Sequence, residues 1–175
     1  MPLIVEVEVE NYKPEKPPYT EFYRILNLSS IDRLEGKVIL QPSRGGVRII
    51  VLDLRGTQQL ARALRKKRDK VRIRRIEPIV KYMEKILRKL AENLGRKIVI
   101  KTRTPAKTTL QEILEIAKKI NAEGIETIKT RNNLYHINYQ ITLTQKNLHE
   151  TLKLIVYGIG KHKHQGYGTI IWKIS

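Results

Sequence analysis

"KIVIKTRT", residues 97–104, is followed by "TTLQEILEIAKKI", residues 108–120, and between the two the period of the apolar residues changes. The first run is β-branched and strand-like. The second places Leu110, Ile113, Leu114, Ala117 and Ile120 at helical spacing. Working outward, "ETIKTRNNLYHINYQITLT", residues 126–144, reads as two strands joined by a turn at Asn132 and Asn133. "NLHETLKLIVYGIG", 147–160, reads as a helix and "GTIIWKIS", 168–175, as a last strand. The order from residue 98 to residue 175 is therefore βαββαβ.

That order is the ferredoxin-like, RRM-like unit, and the first part of the chain repeats it. "LIVEVEVE", 3–10, alternates as a half-solvated strand does. "KVILQPSRGGVRIIVLDL", 37–54, is a hairpin turning at Arg44, Gly45 and Gly46, and "TQQLARALRKKRD" then "VRIRRI" supply a helix and a strand. The first helix is the least marked, because residues 11–30 hold three prolines. "EPIVKYMEKILRKLAENLGR", 77–96, is a helix with Pro78 near its start and Gly95 at its end. It reads as the connection between two units or as a helix of the second. The expected architecture is α+β: a unit over 1–77, a connecting helix over 78–97, and a second unit over 98–175.

Charge narrows the partner. The 175 residues carry a formal net charge of +18, and between Arg55 and Lys107 only Asp69, Glu77, Glu84 and Glu92 oppose a dense run of lysines and arginines. A run so unbalanced repels itself unless an anion relieves it, which points to a phosphate backbone. Arg44, Arg68, Arg72 and Arg74 are the candidates for that contact outside the C-terminal loop. No cysteine is present, so disulfides and thiolate zinc sites are excluded. The four histidines, His136, His149, His162 and His164, show no helical H-x3-H pair, so no metal and no cofactor are expected. With no long apolar run and an acidic N-terminal strand, no membrane partner and a cytoplasmic location are expected.

"GIGKHKHQGYG", 158–168, is the remaining feature. Its glycines permit φ > 0 or close backbone approach. Gly158 and Gly160 read equally as a helix C-cap, and Gly166 and Gly168 as a turn. In the second reading glycine amides approach phosphate oxygens while Lys161, His162 and Lys163 neutralise them. The pattern G-x-G-x5-G-x-G between the last helix and last strand of a ferredoxin-like unit resembles the repeat-associated RNA-binding (RAMP) superfamily of CRISPR systems. With two tandem units, the chain is most similar to the endoribonucleases that cut precursor CRISPR RNA within its repeats.

The resemblance implies an antiviral-defence nuclease acting on CRISPR repeat RNA without metal, the ribose 2′-hydroxyl attacking the adjacent phosphate to leave a 2′,3′-cyclic end. It implies Gly158, Gly160, Lys161, His162, Lys163, Gly166 and Gly168 as RNA-binding, and a catalytic region near the first helix. The family's usual early histidine has no counterpart here, since nothing before His136 is a histidine. Tyr23 and Lys16, in the region of that helix, and His164 in the loop are the catalytic candidates. A non-catalytic RNA-binding subunit of a CRISPR effector complex, and a basic protein binding structured RNA, are the alternatives. The chain is expected as a monomer or homodimer.

Overall fold

The computed structural model describes residues 2–12 and 17–175. In chain order it contains β1 (Leu3–Val9), α1 (Thr20–Ile25), β2 (Val38–Ser43), β3 (Gly46–Val51), α2 (Gln58–Lys66), β4 (Val71–Pro78), α3 (Ile79–Ala91), β5 (Lys97–Pro105), α4 (Leu110–Lys119), β6 (Gly124–Lys129), β7 (Leu134–Thr142), α5 (Leu148–Tyr157) and β8 (Ile171–Ile174). Two 3-10 turns, Ile31–Leu34 and Lys163–Gln165, complete it among the described residues. The strands form two antiparallel four-stranded sheets, ordered β2-β3-β1-β4 and β6-β7-β5-β8. Both are the split βαβ order, so the chain is α+β with two tandem ferredoxin-like units. The first helix is six residues long, in keeping with the prolines around it.

The chain divides into one compact unit comprising Met1–Tyr82 with His162–Gly166, and another comprising Met83–Lys161 with Tyr167–Ser175. The division therefore falls inside α3, where the sequence reading drew a separate connecting helix. The glycine loop is itself divided. Its tip belongs to the first unit and its two limbs to the second.

In the first unit Val5, Val7 and Val9 alternate inward on β1 and meet Val47, Ile49 and Val51 of β3, Phe22 and Tyr23 of α1, and Leu60, Ala63 and Leu64 of α2. Glu6 and Glu8 stand on the other face. Glu6 is only 7% exposed and is held by Arg48 at 3.2 Å and Arg75 at 3.0 Å. Arg48 also bonds the Tyr82 hydroxyl at 3.0 Å and lies over its ring at 4.7 Å. In the second unit Ile98 and Ile100 of β5, Ile137, Tyr139 and Ile141 of β7, and Ile113 and Ala117 of α4 are buried. A capping box between Thr109 and Glu112 starts α4, and the Tyr139 hydroxyl donates to the Ile113 carbonyl at 2.8 Å.

Removal of Glu6 leaves two half-buried guanidinium groups without their shared carboxylate. Glu6→Ala is expected to cost about 3 kcal/mol, whereas Glu8→Ala, whose partner Arg72 is largely solvated, costs well under about 1 kcal/mol. Chemical denaturation of the two variants side by side checks this, and equal losses would contradict the shared-carboxylate account.

Candidate nucleic-acid interface

α5 ends at Gly158, whose φ of 71° turns the chain out of the helix, and its amide donates to the Leu154 carbonyl at 2.8 Å. The two limbs of the loop then pinch together. The Ile159 amide donates to the Gly168 carbonyl at 3.0 Å, and the Gly168 amide to the Arg103 carbonyl at 2.8 Å. A Cβ on Gly168 would lie 1.8 Å from the Ile159 carbonyl oxygen, and one on Gly158 would lie 2.4 Å from the Gly168 oxygen. Beyond the pinch, Gly160 abuts Thr108, where a Cβ would approach Oγ1 to 2.7 Å. The loop neck is therefore built by backbone contacts that no side chain can share.

The tip packs within the first unit. His162 is in the left-handed region at φ 59° and starts the 3-10 turn. The Tyr19 amide donates to the Gln165 carbonyl at 2.8 Å, and a Cβ on Gly166 would lie 2.0 Å from the Tyr19 ring. The Tyr23 hydroxyl donates to the His164 carbonyl. His164 is 2% exposed, and its ring sits 5.9 Å from that of His162, centroid to centroid. The Nδ1 atoms of both rings are buried without a hydrogen-bond partner.

All four glycines are thus accounted for by protein atoms, and the amides of Gly158, Gly166 and Gly168 already donate to protein carbonyls. The cations remain. Lys161 is exposed, while His162 and Lys163 are half-buried. Burial pushes the Lys163 ammonium below its ordinary pKa. Burial likewise lowers the His164 imidazole, with His162 acting in the same direction and the carboxylates of Glu35 and Asp32 opposing. Burial raises the Tyr23 phenol far above its ordinary value, so it stays protonated. Lys16 lies outside the described residues.

The sequence-distant arginines meet elsewhere in the first unit. Arg74 reaches from β4 to the Arg44 carbonyl at the tip of the β2–β3 hairpin, 2.6 Å away. Arg72 faces Glu8 at 3.5 Å, and Arg68 caps the end of α2 by bonding the Arg65 carbonyl at 3.2 Å. Arg44, Arg68, Arg72 and Arg74 are all exposed. Beside them, Tyr12, Gly45, Arg68, Lys70 and Arg72 line an open groove of about 860 Å³. Glu8, Glu10 and Asp69 also line it, and Glu8 is already paired with Arg72. The Tyr12 phenol is pushed up to about 12 by burial, with Tyr19 and Glu21 adding to the shift. The groove offers cations for phosphate and an aromatic ring against which a base can stack. The place of Tyr12 beside Arg68 and Arg72 was not legible in the sequence, because it depends on β1 pairing with β4.

Among the described residues no group of three or more histidines and carboxylates is placed to hold a metal ion, and no helix is long and apolar enough to cross a membrane. No family model and no curated protein matches the chain. Among solved structures it is similar to the CRISPR endoribonuclease Cse3 bound to a 19-nucleotide RNA, at 12% identity and a TM-score of 0.42 over 99% of this chain and 100% of the other. It is also similar to the CRISPR-associated protein Cas6e from Escherichia coli K-12, at 10% identity and a TM-score of 0.39 over 97% and 98%.

Two outcomes are expected. Gly168→Ala meets both a carbonyl oxygen and a φ of 78°, and should lower stability by at least about 2 kcal/mol in thermal or chemical denaturation; a near-neutral effect would show that the loop neck can open. For His164, the unfolded imidazole takes up a proton near pH 6.5 while the folded one resists it. Its contribution is full above about pH 6.5 and is lost as the pH falls from there through the lowered folded pKa. The denaturation midpoint should therefore fall more between neutral and mildly acidic pH in the wild type than in His164→Gln, and parallel profiles would refute the assignment.

Proposed function

We propose that this chain binds RNA through the basic end of its first unit and the cations of the glycine loop, and that it cuts CRISPR repeat RNA without metal. The observation that carries the reading is the position of the G-x-G-x5-G-x-G loop, with Lys161, His162 and Lys163 at its centre, between α5 and β8 of the second of two ferredoxin-like units. The convergence of Arg44, Arg68, Arg72 and Arg74 beside Tyr12 supports the RNA-binding part.

In the proposed reaction the 2′-oxygen bonds to the adjacent phosphorus as the bond from phosphorus to the 5′-oxygen breaks. A base takes the 2′-proton, an acid protonates the departing oxygen, and no water enters. His164, held neutral by its surroundings, retains a ring nitrogen able to accept a proton. Tyr23 stays protonated and positions the loop through the His164 carbonyl. Lys16 and Lys163 supply charge for the phosphorane. One observation favours the non-catalytic alternative, a RAMP-type subunit that holds RNA in an effector complex. His164 and Tyr23 are each 2% exposed, and a substrate reaches His164 only when the tip moves.

Incubation of the protein with end-labelled repeat RNA in EDTA decides between them. A single cut ending in a cyclic phosphate is expected, with Tyr23→Phe lowering the single-turnover rate more than the affinity. Tight binding without any cut makes the non-catalytic subunit the correct reading. In either case log K should fall with log salt by about 0.7 per phosphate neutralised on a single strand, several phosphates being engaged; a flat profile would remove the electrostatic interface altogether.

A further inference from the structure

β4 does not pair with β1 in a single register. Leu3 to Glu6 face Pro78 to Arg75, whereas Val7 to Val9 face Ile73 to Val71, and the shift between them leaves Arg74 with no partner on β1. This is a β-bulge, one extra residue in one strand of an antiparallel pair. The order of residues requires it. The apolar residues of "VRIRRIEP", 71–78, fall at Val71, Ile73 and Ile76, a spacing that straight alternation cannot keep on one face. With Arg74 set aside, Ile73 meets Val7 and Ile76 meets Val5 on the face of the buried valines, while Arg72 meets Glu8 and Arg75 meets Glu6 on the other.

The residue set aside has a definite partner. The Arg74 guanidinium donates to the Arg44 carbonyl at 2.6 Å, although β1 lies between β4 and the β2–β3 hairpin. It rests against the backbone of the hairpin tip, where a Cβ on Gly45 would be 3.5 Å from its Nη1. The tip needs outside support. Gly45 has a φ of 79° and Arg44 has no positive φ, the pattern of a type II turn and not of the primed turns whose twist matches a hairpin. The Arg44 carbonyl belongs to the central peptide of that turn and takes no part in the ladder. The next carbonyl, that of Gly45, accepts from the Val9 amide at 3.2 Å. Both carbonyls of the tip are therefore held, one by β1 and one by Arg74, and Gly45 is a wall of the groove that Tyr12, Arg68 and Arg72 also line.

We infer that Arg74 is a positioning residue: in place of meeting RNA itself, it pins the Arg44–Gly45 tip so that the exposed Arg44 side chain meets a phosphate from a fixed base. The bulge supplies the reach, since it turns one side chain out of the alternation without disturbing the others. Planar, multiply donating guanidinium suits a carbonyl clamp that must also lie flat on backbone. Arg68 and Arg72 remain long solvated cations, and only Arg44 gains a fixed origin. The inference rests on the RNA-binding reading above and assigns Arg74 a role different from that of the arginines around it.

The test uses the full chain, a labelled RNA hairpin with an oligo(U) tail, and a double-mutant cycle. Arg44→Ala and Arg74→Ala should each weaken binding by about fivefold and each lower the salt slope by about 0.7, and the double variant should match Arg44→Ala within about twofold. Losses that multiply mean two independent phosphate contacts and overturn the positioning role. A second measurement needs no RNA. In Arg74→Ala the Val9 amide, whose acceptor is the tip, should exchange with solvent at least about threefold faster, whereas Arg44→Ala keeps the carbonyl that Arg74 holds and should leave that exchange unchanged. Unchanged exchange in Arg74→Ala overturns the clamp. Both side chains are exposed, and circular dichroism melts verify that the variants fold. If neither single variant weakens binding while Arg68→Ala/Arg72→Ala does, the inference falls and the RNA-binding reading stands. Failure of the wild type to bind the probe overturns both.

Discussion

The contact between Tyr23 and the His164 carbonyl joins residues 141 positions apart, and much of the loop's geometry follows from it. A buried phenol whose pKa is driven upward keeps its proton and needs an acceptor. The acceptor is a backbone oxygen at the tip of a 3-10 turn. To present that oxygen the turn enters through a left-handed His162 and leaves through a left-handed Gly166, and the absence of a side chain at Gly166 lets the Tyr19 ring close over it. The glycine at 166 and the tyrosines at 19 and 23 are thus parts of one fitted arrangement.

That arrangement changes what the histidines and lysines of the loop can do. A flexible cationic loop would meet phosphate from any direction at the cost of ordering itself on binding. Here the loop is already ordered against protein, so Lys161, the exposed cation, is presented from a fixed backbone. His162 and Lys163 are half-covered, and His164 is enclosed. Preorganisation favours a defined contact over a diffuse one. The groove beside Tyr12 differs in kind: its exposed arginines carry long, solvated side chains and suit a backbone that can slide.

The fold was legible because its signals are local. Strict alternation in "LIVEVEVE", the period change from Lys97 to Ile120, and the Arg44-Gly45-Gly46 turn each depend on neighbours within a few residues. Even the face assignment of His136 opposite Tyr135 and Tyr139 follows from alternation alone, and the register agrees. The roles of the loop glycines were not legible in the same way. A glycine that makes room for a phosphate and one that makes room for Tyr19 or for the Ile159 carbonyl are the same letter, and only the three-dimensional neighbours separate them. The burial of His164 was hidden for the same reason: a histidine between lysine and glutamine in a glycine-rich stretch carries every local mark of a solvated residue.

The membership of His162–Gly166 in the first unit bears on the order of events during synthesis. Met1–Tyr82 emerges with its sheet and both of its helices, yet lacks the turn that Tyr19 and Tyr23 close upon. That turn follows the whole of β5 to α5 in the chain. The nascent first unit therefore exposes the phenol of Tyr23 and the face of Tyr19 until the second unit has nearly been translated, a long-range closure of the sort that slows folding and leaves apolar surface open to chaperones or to premature association. A protein assembled from two copies of one small motif thereby loses the independence that tandem repeats ordinarily enjoy, because its first repeat is completed only after most of the second has been made.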